Sequence, residues 1–545
     1  MRGCRVMREF DLAIVGSGFG GSLLAMVARR IGLSVILFEK GSHPRFAIGE
    51  STSPLTNLLL ETISQRYGLP RLMPLTSYGL WQRAYPEIVC GLKRGFTFFH
   101  HEAGKAYSVS PGRENQLLVA ASPHDELADM HWLRSDVDRF FQQEAVASGA
   151  EYLDHALLNP PAWDATGLVT LSGQREGRPF QYRVRVIVDA TGPRGYLHRS
   201  LNLQDRGFSS YPSTQALYTH FFGVRRCETM PEYETPGTPP YPIDDAALHH
   251  IFDGGWMWVL RFNNGITSAG VAMKDALAND LGLSDGAPAW PRVLARFPTI
   301  GHQFDRADAI RPFVYTPKLS FRSEAAAGPD WAMLPSAAAF IDPLFSTGIP
   351  LTLLGIERLG RILQETWGTK DLPDRLAGYG ETTLHEADVV ASFIAGCYGG
   401  MVDFPIFTAL SMFYFAAASY SEMARRLEKP HLVRRFLAAD HAQFGPALLD
   451  CADWARSHGD AGAMGVSDYA QTVANSVECI NVAGLCDPAK RNWYPVDLND
   501  VVAGAQKLGF ESEEMKRILA SAPWAQIPDK QGFGEDDKAL RQPQL

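Results

Sequence analysis

Four groups of residues in this 545-residue chain have types and spacings that could do chemistry. Gly16, Gly18 and Gly21 form Gly-Ser-Gly-Phe-Gly-Gly directly after the apolar run Asp11-Leu-Ala-Ile-Val15. Gly16 permits a tight turn, Gly18 lets backbone approach a pyrophosphate, and Gly21 lets a helix pack on a strand. Thr347 and Gly348 stand where a turn enters an apolar helix beginning near Ile349, and could offer N–H groups and a helix dipole to an anion. A plain glycine-proline helix cap accounts for them equally well on local geometry. Lys93 lies beside Arg94 in the glycine- and phenylalanine-rich stretch Cys90 to His101. Its ammonium is a donor with a tunable pKa, fit for general-acid work, but on composition alone it reads as a solvated strand end. Trp256 and Trp258, two apart, share one face of a strand, as core packing or as a pocket wall.

The elements that must hold these residues are legible in order. A buried strand, the glycine turn, an apolar helix to Ile31 and a second strand ending at Glu39 make a dinucleotide fold, with Glu39 placed to accept hydrogen bonds from a ribose. The loop after it, Lys40 to Pro54, is rich in turn formers and would lie beside the bound cofactor. Leu55 to Tyr67 is helical in pattern, Cys90 to His101 reads as one strand, and His131 opens an amphipathic helix to about Ala147 capped by Ser or Asp. Short strands then end at Val188-Asp-Ala-Thr-Gly192, returning the chain to the nucleotide fold and making that domain discontinuous.

The expected boundaries are 10–80, 130–205 and 325–370 for the discontinuous nucleotide-binding domain and 81–129 with 206–324 for a substrate-side sheet. A helical C-terminal region over 371–530 and a polar tail over 531–545 complete the chain. The fold class is α/β: a Rossmann-like domain, an antiparallel substrate sheet and C-terminal helices.

The net charge of −9 argues against nucleic acid as the main ligand. Seven scattered cysteines without a Cys-x-x-Cys suggest reduced thiols in a cytoplasm. No signal peptide and no uninterrupted membrane span is expected, and the aromatic stretch Phe404 to Tyr420 reads as a buried or pocket-lining helix. His100 with His101 and His249 with His250 are adjacent on strands and so point to opposite faces, which makes them poor metal ligands; no metal is expected.

With these segments in hand, the sequence resembles the flavin-dependent halogenases, a branch of the FAD monooxygenase fold. The carriers are Gly16, Gly18 and Gly21; His43-Pro-Arg-Phe-Ala-Ile-Gly-Glu-Ser51; Lys93 in Gly-x-Lys; Trp256-x-Trp258; and Phe340-x-x-Pro343-x-x-Ser346-x-Gly348. Tyr218-Thr-His220, Leu248 to Trp256, Phe262 to Asn264 and Arg296 to Gly301 are similar to the group acting on pyrroles and phenols. Tryptophan halogenases usually carry a glutamate before Ser-Thr-Gly, where this chain has Phe345, which favours an electron-rich phenol or pyrrole over free tryptophan.

The resemblance implies that reduced FAD, oxygen and chloride or bromide yield hypohalous acid, which a tunnel leads to the aromatic substrate. It implies FAD contacts at Gly16, Gly18, Gly21, Glu39, Lys40, Arg45, Ile48, Gly49, Glu50, Ser51, Arg134, Asp342, Gly348 and Ile349, and halide contacts at Thr347 and Gly348. Arg134 would meet the FAD phosphate or ribitol, or merely pair with Asp136 and Asp138; Asp342 would face the flavin, or merely form a turn before Pro343. Lys93 becomes the catalytic residue that holds and polarises the oxidant or forms a chloramine, with Phe98, Trp256, Trp258 and Phe345 on the substrate side.

Arg261 stands where the family has a proline after its Trp-x-Trp, a new cation that would alter the pocket or the reaction. Asp189 is followed by Ala-Thr-Gly rather than the Asp-Gly of flavin hydroxylases that take their own nicotinamide, and no second Gly-x-Gly-x-x-Gly exists. A separate flavin reductase is therefore the expected partner, and the substrate is free or tethered to a carrier protein. The competing expectations are a flavin monooxygenase on the same scaffold and a non-catalytic flavin-binding protein.

Overall fold

The computed structural model describes residues 7–164, 167–457 and 465–525; the expected tail over 531–545 lies outside them. The N-terminal apolar run forms β1 (Arg8–Val15), the glycine turn opens α1 (Phe19–Arg30), and the chain returns as β2 (Val35–Phe38). Helix α1 is buried from Phe19 to Ala28, so its nearly uniform apolar composition reflects cover on several sides rather than one face. Helix α2 (Pro54–Arg66) starts at a reciprocal cap between Ser53 and Thr56, with Pro54 in the first turn, where its missing N–H costs nothing.

Residues expected to form one strand from Cys90 to His101 form two, β3 (Cys90–Lys93) and β4 (Gly95–His101), which belong to different sheets. The break is at Arg94. Its N–H leaves both ladders to bond the Asp245 carbonyl at 2.7 Å, while its guanidinium bonds Asp125 at 2.8 Å and the Pro123 carbonyl at 2.6 Å. After β5 (Gln116–Ala120) the chain makes β6 (Asp129–Trp132), which pairs antiparallel with β3. His131 is thus in a strand, and the helix expected there, α3, spans Arg134–Ala147. Leu133 occupies its N-cap and no side chain caps it, so the Ser or Asp cap is corrected.

β7 (Glu151–Leu153) and the long β8 (Arg178–Asp189) return to the first sheet. β9 (Thr214–Phe222), β10 (Ala247–Phe252), β11 (Gly255–Arg261) and β12 (Thr267–Lys274) build the second. β13 (Trp331–Met333) then precedes three long helices, α4 (Gly348–Thr366), α5 (Leu372–Gly400) and α6 (Phe404–Arg426).

The first sheet has a parallel core in the order β13-β8-β1-β2-β7. Its strands carry the glycine turn, Asp189-Ala190-Thr191 and Leu334 at their carboxyl ends, where an open α/β sheet presents its ligand crevice. The second runs β9-β12-β11-β10-β4-β5 and is antiparallel except where β10 meets β4. The mainly helical C-terminal part adds one short strand, Trp493–Tyr494, beside β5. Helix α6 is buried from both ends toward the middle and lays Phe407 and Phe415 against Phe98 of β4. No helix among the described residues is long and apolar enough to cross a membrane.

Candidate active site

The glycine turn is sterically closed. Gly16 sits at φ +103°, and a Cβ there would lie 2.6 Å from the Ala190 carbonyl oxygen; a Cβ on Gly21 would lie 1.9 Å from the Gly16 carbonyl oxygen. Glu39, at the end of β2, is buried and accepts N–H bonds from Ser17 at 3.1 Å and Gly41 at 3.1 Å. Burial pushes its pKa up, but Arg45 at 3.8 Å and these donors together hold it below the ordinary value. An ionised acid is what a ribose diol requires.

A cavity of about 330 Å³ opens from this turn. It runs from Gly18 past Arg45, Ile48, Gly49, Glu50, Ser51 and Arg134 to Asp342, Thr347, Gly348 and Ile349, and on its other wall to Trp256, Trp258 and His249. Arg134 is buried and fixed on both sides: it donates to Asp138 at 2.9 and 3.0 Å and to the carbonyls of Ile48 and Gly49 at 2.8 and 2.9 Å. It pairs with Asp138, as local spacing allows, yet does so inside the cavity wall rather than on the surface. Asp138 Oδ1 also accepts the Phe19 N–H at 3.1 Å, tying α3 to the start of α1.

Asp342 forms the turn and also lines the cavity. Oδ1 accepts the Leu344 N–H at 2.9 Å as a turn former, and Oδ2 accepts the hydroxyls of Tyr211 and Tyr398 at 2.7 and 3.0 Å in the cavity wall. Burial pushes its pKa up to about 6, with the three donors opposing.

Beyond it, Phe345 at φ 62° and Ser346 at φ 56° are left-handed non-glycine residues, a conformation held only where packing over-determines it. This bend presents Gly348 to the cavity, and a Cβ there would meet nothing within 4 Å. The amides of Gly348 and Ile349 stand in the first helical turn, which has no intrahelical acceptors for them. A flavin nucleotide fits this wall: Ser51 Oγ and Arg45 Nε are buried there without hydrogen-bond partners, and the glycine surfaces leave backbone accessible.

Lys93 does not line that cavity and lies behind its wall near Ser51. It is fully buried, its Nζ donates to the Thr52 carbonyl, and it sits 3.8 Å over the Phe96 ring. Burial pushes the amine down to about 7, against the pull of Asp129. Thr52 follows Ser51 of the cavity wall, and His249 of that wall stacks on Phe98 at 4.6 Å. Phe345 lies 5.6 Å from Phe98 and 4.8 Å from Tyr414, so β4, the Ser346 bend and α6 build one aromatic cluster, of which Phe96 is the ring under the amine.

The structure therefore brings together most of the residues singled out in the sequence. Gly16, Gly21 and Glu39 shape the turn without lining the cavity; Phe98 and Phe345 stand one layer behind it; Lys40 is exposed and stands away from it. Arg261 corrects an expectation. Trp256, Trp258 and Leu260 face the cavity, so Arg261 faces the opposite side of β11. There it donates to Asp244 at 3.0 Å and to the Val224 carbonyl at 2.9 Å, a cation neutralised away from the flavin wall.

Two partners escaped the sequence reading, Asp129 beside Lys93 and His220, which pairs with Glu50 at 2.9 Å. Both pairings join segments distant in the chain: the β3–β6 register reveals the first, and the folding of the loop before α2 onto β9 the second. A larger groove of about 1100 Å³, between α2, α4 and α5, is lined by none of the predicted site residues.

A family model described as tryptophan halogenase matches residues 128–401, and one described as an NAD(P)-binding Rossmann-like domain matches 14–63. The chain is 30% identical to monodechloroaminopyrrolnitrin halogenase PrnC of Pseudomonas fluorescens, over 82% of its own length and 78% of that protein. It is 25% identical to a 1H-pyrrole-2-carbonyl-[peptidyl-carrier protein] brominase of Pseudoalteromonas luteoviolacea, over 64% of its length and 75% of that protein. Its fold is that of halogenase PltM, solved with phloroglucinol and FAD: the TM-score is 0.77 at 22% identity, over 88% of this chain and 99% of that one.

Proposed function

This chain belongs to the tryptophan halogenase family of flavin-dependent halogenases, and on that premise we propose that it halogenates an electron-rich phenol or pyrrole, with Lys93 as the catalytic residue. The observation that carries the reading is a fully buried amine that sits over the Phe96 ring and bonds the carbonyl of Thr52, the residue after Ser51 of the cavity wall. When bound in reduced form, FAD supplies the electrons with which oxygen and a halide give hypohalous acid.

The chain's own residues do the rest. The glycine turn, Glu39, Arg45, Ser51 and Arg134 hold the dinucleotide. The amides of Gly348 and Ile349 hold the halide, with Thr347 beside them. Phe96, Phe98, Phe345, Tyr414 and Phe415 exclude bulk water around Lys93. The ammonium of Lys93 donates to the hypohalous oxygen, which makes hydroxide a better leaving group as the ring takes the halogen. An apolar, ring-lined chamber suits a neutral arene that needs little help to lose its proton.

The test supplies FAD, a separate reductase, NADH and either halide to a panel of phenols and pyrroles, each free or tethered to a carrier protein, with mass spectrometry of the products. The tethered arm is included because a relative acts on pyrrole-2-carbonyl carrier protein. A halogen isotope pattern that requires the reductase is expected; a sixteen-unit shift independent of halide would replace this reading with oxygenation.

Gly348 gives a second expectation. Because a methyl there meets open cavity rather than protein, Gly348→Ala is expected to leave the fold intact while raising the KM for chloride about tenfold, equivalent to about 1.4 kcal/mol of lost anion binding. Steady-state kinetics over a chloride series checks it, and an unchanged KM would move the halide elsewhere.

A further inference from the structure

Lys93 is not alone in its chamber. On the two-stranded ladder of β3 and β6 it stands directly opposite Asp129, so both side chains leave the same face. Asp129 is buried; its Oδ1 accepts an N–H from Asn57 of α2 at 2.8 Å, and its Oδ2 is buried with no hydrogen-bond partner. A buried carboxyl with one oxygen anchored and the other unpartnered is costly unless a cation shares the site. Nothing in FAD binding or in the substrate cage requires it.

We propose that Asp129 is a positioning residue for Lys93: anchored by Asn57, it holds beside the buried amine the negative charge that keeps an exchangeable proton on Nζ. This rests on the reading of Lys93 as the proton-bearing donor to the oxidant.

The other groups around the pair leave that task to Asp129. His131 of β6 and His249 of β10 are both pushed down to about 3 by burial, with the Lys93 charge adding to the effect, so they are neutral in the working range. Glu422 and Arg426 of α6 face the chamber from outside and are paired with each other at 2.9 Å. Tyr414 is raised by burial and stays a neutral phenol. Burial pushes Asp129 up and Lys93 down, and in each the partner's charge opposes the burial. The two groups therefore titrate as a unit near neutrality.

The experiment compares Asp129→Asn with the wild-type holoenzyme, scoring halogenated product against pH together with FAD affinity and release of hypohalite to a trapping dye. Asparagine keeps the shape and removes the charge. The alkaline limb of product formation is expected to move toward acid by about one to three pH units, the usual reach of a neighbouring opposite charge, while FAD affinity and hypohalite release stay as they were. An unmoved limb overturns the proposal.

Should Asp129→Asn fail to fold, Asn57→Leu serves: it leaves both ionising groups in place and removes the anchor, and the same direction of shift is expected, with an unmoved limb again fatal. Lys93→Ala separates the two readings. Retained product in that variant removes Lys93 itself, whereas lost product with an unmoved limb in Asp129→Asn removes only the role of Asp129.

Discussion

Replacing Lys93 by alanine lowers halogenated product by about 10²–10⁴-fold, the range that a positioned general acid contributes, while flavin oxidation and hypohalite release continue. The separation follows from distance in the fold. The groups placed to hold FAD and halide lie along the cavity from Gly18 to Ile349, and Lys93 does not line that cavity but stands on the separate β3–β6 ladder. Deleting the amine leaves the Asp129 carboxyl buried without its cation, and that carboxyl, already raised by burial, becomes a neutral acid instead of a stranded charge. The fold therefore survives.

Lys93→Met, which keeps the aliphatic stem and removes only the charge, is expected to match the alanine variant in product and to exceed it in thermal stability. Mass spectrometry of product beside a hypohalite trap and an FAD titration reads all three quantities. Product formation near the wild-type rate in Lys93→Met would take the amine out of the reaction. In the wild type, product formation falls as pH rises past neutrality, because burial lowers the hold of the Lys93–Asp129 pair on its proton.

The nucleotide fold was legible because its determinants are local. A buried strand, a glycine at a left-handed turn, another that meets the Gly16 carbonyl within the same turn, and an acid about twenty positions on act largely through short-range sterics and hydrogen bonds. The turn around Phe345 was legible only through its resemblance to a family signature, since two consecutive left-handed non-glycine residues contradict local preference and are imposed by the ring cluster around them. What composition and periodicity cannot show is a change of partner. Cys90 to His101 alternates like one strand, yet Arg94 moves its two halves onto different sheets. That change sets Lys93 opposite Asp129, 36 residues away in sequence, and aims the phenylalanines at α6. Arg261 shows the converse: a departure from a motif looked like a change in the reaction, and strand alternation turned it away from the site.

Gly21→Ala is expected to weaken FAD binding by about 100-fold, equivalent to about 2.8 kcal/mol, and to do so without touching the cofactor. The added methyl would fall 1.9 Å from the Gly16 carbonyl oxygen and 3.0 Å from the Ala190 Cβ. Neither can give way cheaply. Gly16 is itself pinned at φ +103° with the Ala190 carbonyl behind it, and Ala190 donates its N–H to the Val15 carbonyl at 2.7 Å in the ladder that joins β1 to β8. Helix α1 must instead lift from the end of β1, and with it go the amides that face the pyrophosphate and the Phe19 N–H bond to Asp138. A fluorescence titration with FAD checks this, and an affinity within threefold of wild type would show that the helix can relax in place. Gly348→Ala is the matched control. It adds the same methyl to another glycine of the same site, but into open cavity rather than against backbone, so the fold is unstrained and the largest expected effect falls on the halide. Loss of FAD in both variants would mean that the dinucleotide extends over Gly348 more closely than the turn at Gly21 requires, and that the halide lies beyond it.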